Sequence, residues 1–334
     1  MAAAIYAVCI AVLELSVSDY NDFIASLWVQ ELIAGTDRTT TLLVSGSTDD
    51  PVASPGSLPV IVCWMGDVFG GAGPQHADLV LGRSDVADLT ATSERNPLAA
   101  TTLALLLRSS VDASVDSGLV QESAAYSMLQ AGPEFATWRA SVTRQAATAD
   151  EAQPSVAIER NDGTIMITLD RPHRHNAITT RMRDELCEAL TIAVVDDSVR
   201  EVILRGNGPS FCSGGELSEF GLRQDAATAH ITRLAQSPAR LLHRLRDRVT
   251  AEIHGATLGG GIEMAAFAQR VIARRDTMIG LPEVGLGLIP GAGGTVSLPR
   301  RIGRQRTAAL ALTNRRIDAE TALSWGLVDE LAGD

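Results

Sequence analysis

The sequence predicts an α/β fold with crossover connections. Two observations point to it. From Pro154 onward, short apolar strand patterns alternate with helical stripes, and glycine-rich loops follow several of the strands. The chain is also ordinary globular material, with 46% hydrophobic and 20% charged residues, and its 334 residues suffice for one large domain or two modest ones.

The elements follow in chain order. "MAAAIYAVCIAVLELSVSDY" is apolar, lacks a basic leader and is interrupted by Glu14 and Asp19; it is too short to span a bilayer and reads as a strand, not a signal peptide. "TTTLLVSGS" and "LPVIVCWMGDV" read as strands, with a turn-rich loop, Ser45 to Pro59, between them. "NPLAATTLALLLRSS" and "GLVQESAAYSMLQAGPEFATWRASV" read as helices. "SVTRQAATADEAQPS", Ser141 to Ser155, is small and polar and suits a linker, so residues 1–150 and 151–334 are expected as separate regions.

Beyond it, two alternating runs around Asn161-Asp162-Gly163 predict a β-hairpin. Met182, Leu186, Ala189, Leu190 and Ala193 form a helical stripe capped by Thr179 or Thr180. "REVILRGNG" reads as a buried strand and "SPARLLHRLRDRV" as a helix. "TAEIHG" reads as a strand running straight into Gly259-Gly260-Gly261, and "RVIARRDTMIGLPE" as strand and loop.

The charge narrows the partners. The net charge is −12 and every basic residue is an arginine. An acidic chain with scattered arginines argues against nucleic-acid and anionic-membrane binding, while a local arginine pocket for phosphate stays open. Cys9, Cys63, Cys187 and Cys212 stand at no metal or redox spacing and are expected as free thiols in a reducing cytosol. A cytoplasmic location is the expectation.

Three segments place bare backbone just beyond a strand: "GNGPSFCSGGELSEF", "IHGATLGGGIEMAAFA" and "IGLPEVGLGLIPGAGGT". Glycine lets N–H groups approach a ligand, and a helix start leaves such donors unpaired, so two loops can aim two N–H groups at one developing oxyanion. Glu263 and Glu283 flank this backbone and can divide acid and base roles over one water. Taken singly, Glu263 reads more readily as a helix-dipole complement and Glu283 as a surface loop residue. His173, His175 and His254 are expected in loops or as satisfied core groups. Arg171 and Arg174 fit either a phosphate or a solvated loop, and "RRIGRQR", Arg300 to Arg306, is expected mainly as a solvated helix start, with a phosphate contact as the lesser alternative.

The segments "FCSGGE", "LGGGIE", "LPEVGLGLIPGAGGT" and "ALSWGLVDE", together with "LDRPHRHNAIT", resemble in order and spacing the crotonase (enoyl-CoA hydratase/isomerase) superfamily over about half the chain. The resemblance implies a ββα spiral core and a CoA thioester substrate, with no metal and no separate cofactor. It implies an oxyanion hole of Gly215 and Gly260 N–H groups, water activation by Glu263 and proton exchange at the α-carbon by Glu283. Arg174, Asn176, Ala177, Ser213, Gly214, Gly259 and Pro282 would contact the thioester. Both glutamates being present, the expected activity is that of a hydro-lyase, an enoyl-CoA hydratase of fatty acid metabolism, assembled as a trimer or hexamer. Another crotonase-type enzyme (isomerase, hydrolase or cofactor-free oxygenase) and a non-catalytic acyl-CoA-binding subunit stay open. Departures from the family pattern fall at Gly215-Glu216, Ala268-Gln269 and Ile279.

In the family a helical tail follows the segment matching "GLVDE". Here Glu94 to Ala140 resembles that tail, with its Asn-Pro-Leu start, long apolar helix, Gly-Leu-x-x-Glu and Pro-Glu-Phe. The expectation is a tail moved to the N-terminal side, by permutation or in a decayed second copy.

Overall fold

The computed structural model describes residues 12–26, 40–110, 112–142, 153–222 and 225–333. Cys9 and most of the expected linker, residues 143–152, lie outside them. The N-terminal segment opens with β1 (Val12–Ser16), α1 (Val17–Ala25), β2 (Thr40–Ser45), β3 (Val60–Met65) and β4 (Leu79–Leu81). The four strands pair in that order, all parallel. The strand expected through Tyr20 stops at Ser16, because the Ser16 hydroxyl accepts from Asp19 N–H at 3.2 Å and caps α1 instead. Both faces of the sheet are buried, as parallel sheets require. Leu42, Val62 and Trp64 pack with Tyr20 and Val17 on one face, while Leu43, Ile61, Cys63 and Leu81 join the main core on the other.

Four helices follow: α2 (Val86–Arg95), α3 (Pro97–Ser109), α4 (Val115–Gln130) and α5 (Pro133–Ser141). Pro97 and Pro133 open the first turns of theirs, where proline lacks nothing the helix needs.

The second half holds the expected hairpin, β5 (Val156–Asn161) against β6 (Thr164–Leu169), turning at Asp162, whose φ is 48°. Then come α6 (Thr180–Val195), capped by the Thr179 hydroxyl on Met182 N–H at 3.0 Å, and β7 (Glu201–Gly206). Next are α7 (Ala226–Ala235), α8 (Pro238–Leu245), β8 (Val249–Ile253), β9 (Ala256–Leu258), α9 (Gly260–Ala265), β10 (Arg270–Ala273) and β11 (Met278–Gly280). The last elements are α10 (Gly294–Thr313), β12 (Arg316–Asp318), α11 (Ala319–Trp325) and β13 (Glu330–Leu331). A six-stranded sheet runs β13-β10-β8-β7-β6-β5 and a three-stranded one β12-β11-β9.

Two expectations are corrected here. The strand "TAEIHG" does not run into the glycine triplet. It ends at Ile253, the chain turns at Gly255 (φ 53°), and the triplet is entered from β9, a strand of the other sheet. "RRIGRQR" is not a solvated helix start. It lies inside α10, which kinks at Gly303, and its side chains reach back to the N-terminal segment. Arg304 pairs with Asp78 at 3.4 Å, Gln305 donates to Pro74 O at 2.7 Å, and Arg306 to Gly70 O at 3.1 Å.

The described part of residues 94–140 packs directly on the glycine-rich core. Asn96 Nδ2 donates to Val284 O at 2.7 Å, and Gly118 lies so close to α10 that a Cβ on it would stand 2.9 Å from Val296 Cγ2. Among the described residues, Cys63, Cys187 and Cys212 are buried free thiols, and no helix is long and apolar enough to cross a membrane.

Candidate active site

The strand-to-helix turn at the glycine triplet and the loop after β7 are joined by backbone. Phe211 N–H donates to His254 O at 2.8 Å, and Leu258 N–H to Cys212 O at 2.9 Å. This sets Gly214-Gly215 against Gly260: a Cβ on Gly214 would stand 3.7 Å from Gly260 N. Ile178 N–H donates to Gly214 O and Glu216 N–H to Ile178 O, so this ladder passes over the N–H of Gly215. Gly260 is the first residue of α9, where a helix leaves its N–H groups without an intrahelical acceptor. Neither N–H has a partner among the described residues. Gly259 has φ 47°, and a Cβ there would fall 2.1 Å from Glu283 Oε1, so only glycine lets the carboxylate lie against the turn.

The two glutamates are both buried, at 1% exposure for Glu263 and 8% for Glu283, which removes the surface-loop reading of Glu283. Glu263 Oε2 accepts from Ala292 N–H at 2.7 Å and Gly294 N–H at 2.8 Å. Glu283 Oε2 is buried with no hydrogen-bond partner among the described residues. A third carboxylate comes from α4. Glu122 accepts from Gly293 N–H at 2.7 Å and from Thr295 N–H and Oγ1 at 2.8 and 2.7 Å. Alternate amides of residues 292–295 thus hold two carboxylates from opposite halves of the chain.

Burial pushes all three carboxyls up. Glu283 rises to about 8 and Glu122 to about 7, while Glu263, with Glu283 and Glu122 as further causes, is raised well above its ordinary value. The cluster therefore keeps protons at neutral pH. The two N–H bonds on Glu263 favour its charged form, whereas Glu283 Oε2 has no donor to do so. A stability consequence follows. At these carboxyls the native state binds more protons than the unfolded chain between pH about 4.5 and about 8, so their contribution to stability is most favourable below that window and declines as pH rises through it. Thermal unfolding midpoints across that range should fall with pH, and the fall should be shallower in Glu283→Gln; a flat or rising wild-type series would contradict the buried cluster.

A cleft of about 570 Å³ opens beside the two loops. Arg174, Ala177, Ser213, Gly214, Gly215, Pro282 and Glu283 line it. Asn176 does not: it is fully buried, its amide donating to Asn207, Ser210 and Phe211 carbonyls and accepting from Arg171 N–H, so its side chain is spent inside the loop. Gly259, Gly260 and Glu263 are not among the residues that line it. Arg171 and Arg174 face Glu216, at 3.6 and 3.1 Å, rather than forming a solvated loop. Burial of Glu216 is outweighed by the Arg174 and Ser218 hydrogen bonds, which hold its carboxyl below the usual range. His175 Nδ1 meets Ser210 Oγ and His254 Nε2 meets Gly208 O, both at 2.9 Å, and His173 borders the cleft. Sequence reasoning singled out neither Glu122 nor Arg139, whose side chain borders the cleft from α5 with Nη2 buried and unpartnered among the described residues. The "GLVQE" motif marked the segment of Glu122 but not its contact. Among the described residues, no cluster of His, Cys, Asp and Glu is arranged to hold a metal ion.

The family model described as enoyl-CoA hydratase/isomerase matches residues 159–334. An enoyl-CoA isomerase/hydratase of Mycosarcoma maydis is 36% identical, over 51% of this chain and 65% of its own. A 2,3-dehydroadipyl-CoA hydratase of Escherichia coli is 33% identical, over 52% of this chain and 68% of its own. The crystal structure of an enoyl-CoA hydratase from Thermoplasma volcanium matches with TM-score 0.50 and 34% identity, over 55% of this chain and 74% of that one. The chain thus spans about two thirds of the length of the curated relatives it matches.

Proposed function

Since the chain belongs to the enoyl-CoA hydratase/isomerase family, we propose that it hydrates a 2-enoyl-CoA across the 2,3 double bond. The observation that carries this reading is the pair of buried carboxylates, Glu263 and Glu283, beside two backbone N–H groups without partners among the described residues. The thioester oxygen accepts from Gly215 and Gly260 N–H. A water between the carboxylates adds to C3 and gives its proton to Glu263. The electron pair moves to the thioester oxygen as an enolate, stabilised by the two donors, and Glu283 returns a proton to C2. What divides the roles is hydrogen bonding: burial raises Glu283 to about 8 and its Oε2 has no donor among the described residues, whereas the Ala292 and Gly294 N–H bonds favour the charged form of Glu263 that the base role needs. Arg139, Arg174 and Arg316 line the cleft and would meet the anionic end of coenzyme A.

We also read residues 94–140 as taking the place of the family's tail. Glu122 supports this, since it helps shape the loop that positions Glu263. Assembly as a trimer or hexamer belongs to the same reading.

Mixing the protein with crotonyl-CoA and longer 2-enoyl-CoAs should bleach the conjugated thioester absorbance. Offering a 3-enoyl-CoA separates the nearest alternative, because an isomerase would raise that absorbance. If no 2-enoyl-CoA is consumed, the hydratase reading is wrong.

A further inference from the structure

Glu216 departs from the family pattern, and the reaction as written above gives it no part. It is buried, at 6% exposure, and it directly follows Gly215, one of the two proposed oxyanion donors. The direction of the Gly215 N–H is set by its neighbours. A trans peptide is planar, so this N–H points opposite to the carbonyl of Gly214. That carbonyl accepts from Ile178 N–H at 2.8 Å, and Glu216 N–H donates to Ile178 O at 2.9 Å. Holding residue 178 in place therefore aims the donor. The segment needs such a hold, because Gly214, at φ 95°, and Gly215 are the residue type with the most backbone freedom to lose.

The side chain of Glu216 supplies the hold. Its Oε1 accepts from Arg174 Nη2 at 3.1 Å, and its Oε2 faces Arg174 Nε at 3.4 Å and Arg171 Nη2 at 3.6 Å. Arg171 Nη1 in turn donates to Ala177 O at 2.6 Å. That carbonyl belongs to the same peptide unit as the Ile178 N–H. A closed ring results: carboxylate, Arg171 guanidinium, the 177–178 peptide, the 214–215 peptide, and back along the chain to Glu216. A charged donor on Ala177 O also polarises the Ile178 N–H beyond it. From another side the Phe220 ring wedges Gly215, since a Cβ there would stand 2.5 Å from Phe220 Cε1. Ser218 N–H and Oγ reach Glu216 Oε1 at 3.4 and 3.0 Å, which a plain turn cap would explain. A cap needs no cation, whereas two guanidinium groups converge on this carboxylate.

We propose that Glu216 is a positioning residue of the oxyanion hole, acting through Arg171 and the peptide of Ala177 and Ile178 to aim the Gly215 N–H at the thioester oxygen. The inference rests on the hydratase reading above, which places that oxygen between Gly215 and Gly260.

The test reads the polarisation of a bound thioester. In para-dimethylaminocinnamoyl-CoA the amino group feeds electrons toward the carbonyl, so donors at the carbonyl oxygen move its absorbance to longer wavelength. Saturated wild-type protein should show that shift. In Glu216→Gln the shift should be smaller, and kcat for crotonyl-CoA should fall about tenfold, short of the about 10²–10³-fold that losing an oxyanion donor outright costs. Arg171→Gln should reduce the shift in the same way, and the double variant should be little worse than either single one. The wavelength of the bound probe does not depend on how much protein is folded. Should Glu216→Gln fail to fold, Arg171→Gln decides. A full wild-type shift in either saturated variant overturns the inference and leaves the hydratase reading intact. A wild-type protein that binds the probe without any shift has no oxyanion hole at that oxygen, and both readings fall.

Discussion

Glu283→Gln should lower kcat/KM for crotonyl-CoA by about 10²–10⁴-fold, the range for loss of one positioned acid or base, and Glu263→Gln should do the same. Glutamine keeps the size of each side chain but cannot give up or take a proton. At Glu263 its amide oxygen can still accept from Ala292 and Gly294 N–H, so the loop keeps its shape and the loss falls on chemistry. At position 283 no protein hydrogen bond of Oε2 is disturbed, because none is made to a described residue. The double variant should be little worse than either single one, since the two groups act on the same water. KM should change far less than kcat, as neither carboxylate holds the coenzyme. Wild-type kcat/KM should also decline as pH rises through the Glu283 value of about 8, where the acid form is lost. Steady-state kinetics with circular dichroism checks all of this, and variants that turn over like wild type would remove both glutamates from the mechanism.

The parts of this site that the sequence made legible are those written in local pattern. Glycine runs beyond strands pointed to the backbone of residues 214–215 and 259–261, and the apolar stripe of α6 announced its buried face. What stayed hidden depends on partners far along the chain. Glu122 reads as one more polar residue of an amphipathic helix, and only its meeting with Thr295, 173 residues on, makes it part of the site. "RRIGRQR" looks solvated because arginine usually is, yet Arg304 finds Asp78 across 226 residues. The expected first strand exists, but the expectation ran past Ser16 to Tyr20 on a local matter, a serine cap that the apolar run disguised.

Asp78→Ala should destabilise the protein by about 3–5 kcal/mol, the range for breaking a buried pair by removing one partner. Asp78 is 1% exposed and joins three elements. It accepts from Val62 N–H of β3 at 2.8 Å, from Arg108 Nε of α3 at 2.7 Å and from Arg304 Nη1 of α10 at 3.4 Å. Alanine would leave two guanidinium groups, with side chains only 11% and 15% exposed, facing one another without their counter-charge. Asp78→Asn keeps the shape and can keep the Val62 bond, so it should lose less. Urea titration followed by circular dichroism reads the difference, and a loss below about 1 kcal/mol would mean the pair is as weak as a surface one. The same titration tests whether the two halves fold together. If the β1–β4 sheet folded apart from the catalytic core, Asp78→Ala would split the transition, and crotonyl-CoA turnover would persist beyond the first step. Since Asp78 ties that sheet to α10, the helix whose first turn helps hold Glu263, activity and structure should instead be lost in one step.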